Sequence, residues 1–439
     1  MKVRSVFSRV ITVAAVVAAL AVLAACGGGD GGSSPTPGGG GPTADPNQPA
    51  GAVVVIAGPE AANEALAEAQ THSSVTTFLL PASAMDTATF DGLTFEANAV
   101  WGVNPVPAAA NTEAFNAAYE AAYGQTPEGL TGVAAAYDAV YLAVLAAAAA
   151  NSTDRETVRN HVTYVANSPG EIVTYGGEGF GTALSVLAET GGDVNYVGVS
   201  GQVDLDSNGD LSKGAVRTWR LLNGEIAPIE TRDVDLAAVG GAEAPAGQSQ
   251  PERDAPAGPF LIGIVTPESD QGTAIVNAAQ LAVDEINGAG GLFGQDVGLA
   301  VRTGEDSGAL ASAALDEDGA SVLITPVDGA AASAVLEAAS GANAAVMVLS
   351  TEQGIGDGSS NFFRIAPPQA LQMPVLANLM LEQGPTVACV LYEAGDAGEE
   401  MAAAFQAALE YKQGAVRGSE SFEAGQDDLS SLISDCIGE

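Results

Sequence analysis

Asp204, Asp206, Asn208 and Asp210, spaced Asp-x-Asp-x-Asn-Gly-Asp, are the residues whose types and spacing come nearest to a metal site. Alternating oxygen donors of this kind open a calcium loop. Such a loop also needs a bidentate Glu at its twelfth position, and Ala215 stands there. Strands, not helices, are expected on either side, so the stretch reads as a hairpin turn favoured by Asn-Gly and Asp. His72 and His161 have no Cys or acid at zinc-ligand spacing. No Gly-x-Ser-x-Gly, His-Glu-x-x-His or phosphate-loop pattern is present. The run GGEGFG at Gly176–Gly181 does not fit the dinucleotide fingerprint, and no parallel strand is expected before it. No catalytic constellation emerges. The chain is expected not to be an enzyme, and to need no cofactor or metal.

The charge balance excludes other classes. The 439 residues hold 54 acidic and 14 basic side chains, a formal charge of −40. Basic depletion, in an Ala- and Gly-rich chain, causes the imbalance. Such a polyanion is not expected to bind nucleic acid or anionic head groups through its surface. Screening of its self-repulsion by salt should favour it. Residues 1–25 read as a targeting segment: Lys2, Arg4 and Arg9 precede an apolar core, Val10–Ala25, too short to span a membrane as a stable helix. Its end, Leu23-Ala24-Ala25-Cys26, resembles the lipobox of bacterial lipoproteins. That resemblance implies cleavage before Cys26, lipid on Cys26, and an extracytoplasmic place in the cell envelope, held to a membrane. Residues 26–50 are Gly, Ser, Pro, Thr and Asn without core-forming residues and read as a flexible tether. Cys389 and Cys436 remain. The compartment permits a disulfide, but Cys389 lies in an apolar run, Val387–Leu391, that equally suits a buried thiol, and spacing does not decide between them.

The elements that must position any site alternate. Ala52–Ala57 (AVVVIA) reads as a buried strand and Glu60–Gln70 as a helix. Thr76–Leu80 is a second strand; Leu93–Gly102 leads into a proline-containing loop at Val103–Thr112. Helices follow around Phe115–Tyr123, Leu130–Asn151, Thr153–Val165 (with Thr153 and Glu156 spaced as a capping box) and Phe180–Glu189. Gln202–Leu205 and Ala215–Leu222 read as a hairpin. Residues 232–257 lack periodicity and read as a linker. Then FLIGIV at Phe260–Val265 starts a second alternating series. A helix carries Ile275, Ala279, Ala282, Val283 and Ile286 on one apolar face. Strands follow at Val297–Arg302, Ser321–Ile324, Ala345–Leu349, Asn361–Ile365 and Val387–Tyr392, and the last helices at Glu399–Tyr411 and Leu429–Ile437. Alternation of this kind predicts α/β architecture with parallel sheets flanked by helices.

The segments GIVTPESDQG, AAQLAVDEINGAGGLFGQDV, FFRIAPPQALQMPVLA and VACVLYEAGDAGEEMAAAF make residues 258–439 resemble the N-terminal half of type I periplasmic solute-binding proteins, the leucine/isoleucine/valine-binding family of ABC importers. VVVIAGPEAANEAL, FNAAYEAAYGQTPEGLTGVAAAYDAVYLAVLAAA and NYVGVSGQVDLDSNGDL make residues 51–231 resemble the C-terminal half. The resemblance implies the two-lobed type I periplasmic-binding-protein fold in circularly permuted order, with residues 232–257 joining the family's usual termini. One lobe would combine about 258–383 with 106–192, the other about 384–439 with 51–105 and 193–230. Strand Val53 should then lie beside strand Val387. The implied function is binding of a small molecule between the lobes and delivery to an ABC permease. The alternative is an envelope sensor or regulatory lipoprotein on the same fold.

In this family an amino-acid ligand is held by hydroxyls and backbone N–H groups of one lobe at its carboxylate, and by an acid of the other at its ammonium. Carried over position by position, the serine falls at Gly329, beside Asp328. The Ala-Thr pair falls near Gln353, with Ser350 and Thr351 as nearby hydroxyls. The aromatic residue falls at Ala397, and the acid at Ala82, next to Ser83. The expected anchors are therefore replaced, which implies a different ligand, a remodelled pocket, or the loss of small-molecule binding.

Overall fold

The computed structural model describes residues 44–106, 109–127, 130, 132–167, 169–189, 192–235, 259–352, 354–356, 359–426 and 428–438. Cys26, the targeting segment, most of the tether, nearly all of the linker and Gln353 lie outside the described residues. These fall into two compact units. The first takes 44–104, 216–235 and 370–438, and the second takes 105–215 and 259–369.

The first unit is built on seven strands: β1 (Ala52–Ile56), β2 (Thr77–Leu80), β3 (Val100–Val106), β6 (Lys213–Leu222), β7 (Glu225–Asp235), β13 (Val387–Glu393) and β14 (Ala415–Phe422). Their order is β14-β13-β1-β2-β3-β6-β7. Every residue of β1 is buried, as a β-branched run central in a parallel sheet must be. It pairs in parallel with β13, Val53 opposite Cys389, and with β2, Val53 opposite Phe78. Helices α1 (Pro59–Ala69), α10 (Met373–Gln383), α11 (Asp396–Tyr411) and α12 (Ser430–Ile437) cover the faces, and an apolar cluster lies on each side of the sheet. A disulfide joins Cys389 of β13 to Cys436 of α12. Residues 44–50, just before β1, are docked. Ala44 N donates to Gln413 O (3.0 Å), Arg417 Nη1 to Pro46 O (3.4 Å) and Ala50 N to Ile437 O (2.9 Å). Residues 44–50, expected to belong to a flexible tether, are therefore held by partners on the C-terminal segment.

The second unit holds a five-stranded parallel sheet of β8 (Leu261–Thr266), β9 (Gly298–Thr303), β10 (Val322–Thr325), β11 (Ala345–Val348) and β12 (Phe362–Arg364), in the order β12-β11-β10-β8-β9. A parallel pair, β4 (Glu171–Thr174) and β5 (Val194–Val197), stands apart from it in the strand order. The helices are α2 (Ala109–Tyr123), α3 (Val133–Ala150), α4 (Arg155–Arg159), α5 (Val162–Ala166), α6 (Gly176–Leu187), α7 (Asp270–Gly288), α8 (Ser307–Asp316) and α9 (Gly329–Gly341). Helix α7 starts where the Ser269 hydroxyl accepts from Gly272 N (3.0 Å), and its face Ile275, Ala279, Ala282, Val283 and Ile286 is buried. Helix α3 is long and apolar enough to cross a membrane, but it is mostly buried as the core helix of this unit.

Several expectations are corrected. The turn at Asp206–Asp210 closes an isolated antiparallel bridge, Leu205 to Leu211, and the long hairpin lies one element later. Asn223 (φ 54°) and Gly224 (φ 82°) turn β6 into β7, the left-handed pair that a two-residue hairpin demands. Arg232–Asp235 thus belong to β7, not to the linker, and Arg232 pairs with Glu230 and Glu382. Val103–Val106 continue β3 instead of forming a loop. The helix expected over Thr153–Val165 is two short helices, and the N-cap is Asp154, whose carboxylate accepts from Thr157 N (3.0 Å). Strand β4 does precede GGEGFG, and α6 begins at Gly176, the first residue of that run. Helix α10 groups with the first unit and residues 193–215 with the second, the reverse of the expected lobe division.

Candidate ligand-binding site

Ligands of open parallel sheets bind beyond the carboxyl ends of the strands, where helix N-termini present free N–H groups. In the second unit the loops after β10 and β11 meet at that edge, and they bring together Asp328, Gly329 and Ser350. Ser350 is buried; its hydroxyl donates to Asp328 Oδ1 and accepts from Glu352 N (3.0 Å). The Glu352 carboxylate accepts from Gly329 N, the first N–H of α9 (2.8 Å), where the helix dipole favours a negative group. Asp328 is the N-cap residue, yet its side chain does not cap α9 and serves Ser350 instead. Gly329 has φ 51°, a left-handed conformation that a serine at this position would hold only under strain. Thr351 contributes its carbonyl, which accepts from Gln369 N (3.1 Å).

Arg364 holds this loop. Its side chain is 1% exposed. Nη1 donates to Ser350 O (3.0 Å) and Glu352 O, and Nε to Asp210 Oδ1 (2.6 Å). Its backbone N donates to Gly209 O (2.7 Å), and its guanidinium lies 5.1 Å from the centre of the Phe362 ring. This gives the Asp-rich turn its role. Asp206 Oδ1 accepts from Asn208 N (2.8 Å) and Asp210 N (2.9 Å), forming an Asx-type turn, and Asp210 pairs with Arg364. Asp204 is buried 3.3 Å from Lys213 Nζ; both its oxygens lack a partner of hydrogen-bond geometry, so that pair is a close charge contact only. Among the described residues, no three His, Cys, Asp or Glu side chains converge as metal ligands.

In the first unit, Gly58 N at the start of α1 donates to Glu393 Oε2 (3.1 Å). Ala82 N, just beyond β2, donates to Gln372 Oε1 (2.8 Å). Ser83 is exposed in the same short turn, and Ala397 lies in the first turn of α11. Ala82 and Ala397 bring no side-chain donor or acceptor to this edge. Glu352, Arg364, Glu393 and Gln372 are the polar groups that sequence reasoning missed. Arg364 had a signal: a lone cation in the apolar run NFFRI, in a chain with 14 basic residues, must find partners.

A further buried carboxylate sits inside α3. Asp138 accepts from Tyr196 Oη (2.9 Å), Val199 N (2.9 Å), Ser200 N (2.8 Å) and the Ser200 hydroxyl. Burial pushes it up to about 6 against the pull of those hydrogen bonds. It fixes the 198–200 turn and is not exposed to solvent.

Residues 260–436 match the model of the periplasmic binding protein family, and residues 45–222 match that of the receptor family ligand binding region. The chain is therefore similar to periplasmic binding proteins along both matched stretches, each of them less than half of its length. Solved structures similar to this chain include three transport proteins. The branched-chain amino acid transporter substrate-binding protein LivJ of Streptococcus pneumoniae, in complex with isoleucine, is 25% identical over 42% of this chain and 55% of its own, with a TM-score of 0.32. The leucine-binding protein LivK of Thermotoga maritima is 18% identical over 41% and 53%, with a TM-score of 0.31. An ABC transporter solute-binding protein of R. palustris, in complex with 4-hydroxybenzoate, is 15% identical over 40% and 50%, with a TM-score of 0.31. The chain thus aligns with about half the length of these proteins. No curated protein matches it.

Proposed function

We propose that this chain is the extracytoplasmic solute-binding protein of an ABC importer, lipid-anchored through Cys26 and non-catalytic, with a small molecule as its cargo and a permease as its partner. The observation that carries the reading is the pair of family matches at 45–222 and 260–436. Permuted order is part of the proposal. It is supported by β1 lying between β13 and β2, and by the bond from Ala50 N to Ile437 O, which sets the two ends of the permuted halves side by side.

The cargo differs from an ordinary α-amino acid. The groups that would hold an amino-acid carboxylate, Gly329 N–H and the Ser350 hydroxyl, already serve Glu352 and Asp328. The same observation favours the second reading, an envelope sensor or regulatory lipoprotein with no small ligand. A thermal-shift screen of the mature protein against amino acids, amides, short-chain acids and aromatic acids separates the two. A ligand at 100 times its Kd adds about 2.7 kcal/mol. Silence across the panel would leave the regulatory reading standing. Anchoring has its own check: Cys26→Ala should move the protein out of the membrane fraction.

A further inference from the structure

Gln372 is fully buried. Its Oε1 is fixed toward Ala82 because a backbone N–H can only donate. That orients the amide and turns Nε2 the other way, where it has no hydrogen-bond partner. A buried amide donor left empty is costly, and such groups call for an explanation. The position supplies one. Gln372 is the N-cap residue of α10, and its amide lies against the turn that follows β2, at the carboxyl edge of the parallel strands β13, β1 and β2. The neighbouring donor at this edge, Gly58 N–H, is taken by Glu393. Ala82, where family resemblance expects an acid for an ammonium, carries no charge.

We infer that Gln372 is a ligand-contacting, specificity-determining residue, whose Nε2 donates to an acceptor oxygen of the cargo. On this unit the cargo presents a carboxylate or carbonyl, not an ammonium. Its class is a monocarboxylic acid or amide without an α-amino group. This rests on the solute-binding reading above and narrows its ligand.

The test uses the mature protein and probes that share one hydrocarbon: 4-methylpentanoate, 4-methylpentanamide, leucine and isopentylamine, with benzoate as an aromatic acid. Gln372→Glu keeps an acceptor for Ala82 N–H and removes the Nε2 donor; because it buries a carboxyl, each ligand-induced shift is read against that variant's own ligand-free melting temperature. Gln372→Leu removes both. The acid or amide probes should raise the wild-type melting temperature more than leucine or isopentylamine do. Both variants should weaken those probes by about tenfold or more, and Gln372→Glu should gain affinity for isopentylamine. Selective 15N labelling of glutamine should also show the Gln372 side-chain amide shifting with the bound probe. Preference for leucine, or acid binding unchanged in Gln372→Glu, overturns the inference and leaves the solute-binding reading intact. Silence toward all the probes and the wider panel overturns both.

Discussion

The carboxylate of Glu352 lies on the backbone N–H of Gly329 at 2.8 Å, so the N-terminus of α9 carries an anion supplied by the chain itself. An incoming carboxylate must displace it or go elsewhere. Glu352→Ala should cost about 1 kcal/mol of stability, the worth of a charge-assisted bond at a helix N-terminus. In return it should allow α-amino acids to stabilise the protein. Urea unfolding with and without leucine measures both. An unchanged leucine response would mean that the internal carboxylate does not control this edge.

Arg364 is the tightest constraint on the same loop. Arg364→Met removes the guanidinium's bond to Asp210 and releases the carbonyls of Ser350 and Glu352. Removing one partner of a buried ion pair costs about 3–5 kcal/mol. The double variant with Asp210→Asn should recover part of that loss. Simple additivity of the two substitutions would rule out direct coupling.

The disulfide bridges residues 47 apart in sequence. Chain-entropy arithmetic for a loop of that size gives about 4 kcal/mol. Cys436→Ser, or reduction of the wild type, should lower stability by that order. It should also speed hydrogen exchange in α12 and at Ala50, which is bonded to Ile437. Unchanged exchange there would separate the bridge from the seating of the chain ends.

Asp138 makes a pH prediction. Its folded value, about 6, lies above the ordinary 3.8, so the native state binds the proton more tightly. Its contribution to stability is therefore greatest at low pH and falls as pH rises from about 4 through 6, by roughly 3 kcal/mol in all. Asp138→Asn should remove that part of the pH dependence. The gap in unfolding free energy between wild type and variant should be larger at pH 4 than at pH 7, and a constant gap would contradict the assignment.

Reordering tests the permutation. A chain running from 258 to 439 and continuing through 50 to 235 should fold to the same two units, with stability within about 1 kcal/mol, because exposed termini and linkers tolerate rearrangement. Loss of cooperative unfolding in that chain would refute it.

The parts of this fold readable from sequence were those whose residues are buried on both sides. AVVVI in β1 and VACVLYE in β13 announce themselves as apolar runs, and so does the face of α7. What escaped lies at edges. β14, AVRGSESF, buries only its first and last residues, and β7 carries Pro228 and charges, as edge strands do. β4 buries Val173 alone. The Asn223-Gly224 turn was readable, but the denser turn composition of Asp206–Asp210 drew the hairpin forward. At the site, Asp328, Gly329 and Ser350 follow strand ends and could be placed by resemblance. Glu352, Arg364 and Gln372 could not, because their roles depend on partners distant in sequence; Asp210 is 154 residues from Arg364.

The bond between Ala50 and Ile437 also bears on mechanics. The stem at Ala44–Ala50 leads directly into β1, an interior strand held by five residue pairs on β13 and three on β2, all parallel. A pull on the stem would run along β1 and load those rungs together in shear, so no single hydrogen bond would bear it alone. A protein leashed through its amino end would carry its tension in the middle of a sheet, not at a fraying edge.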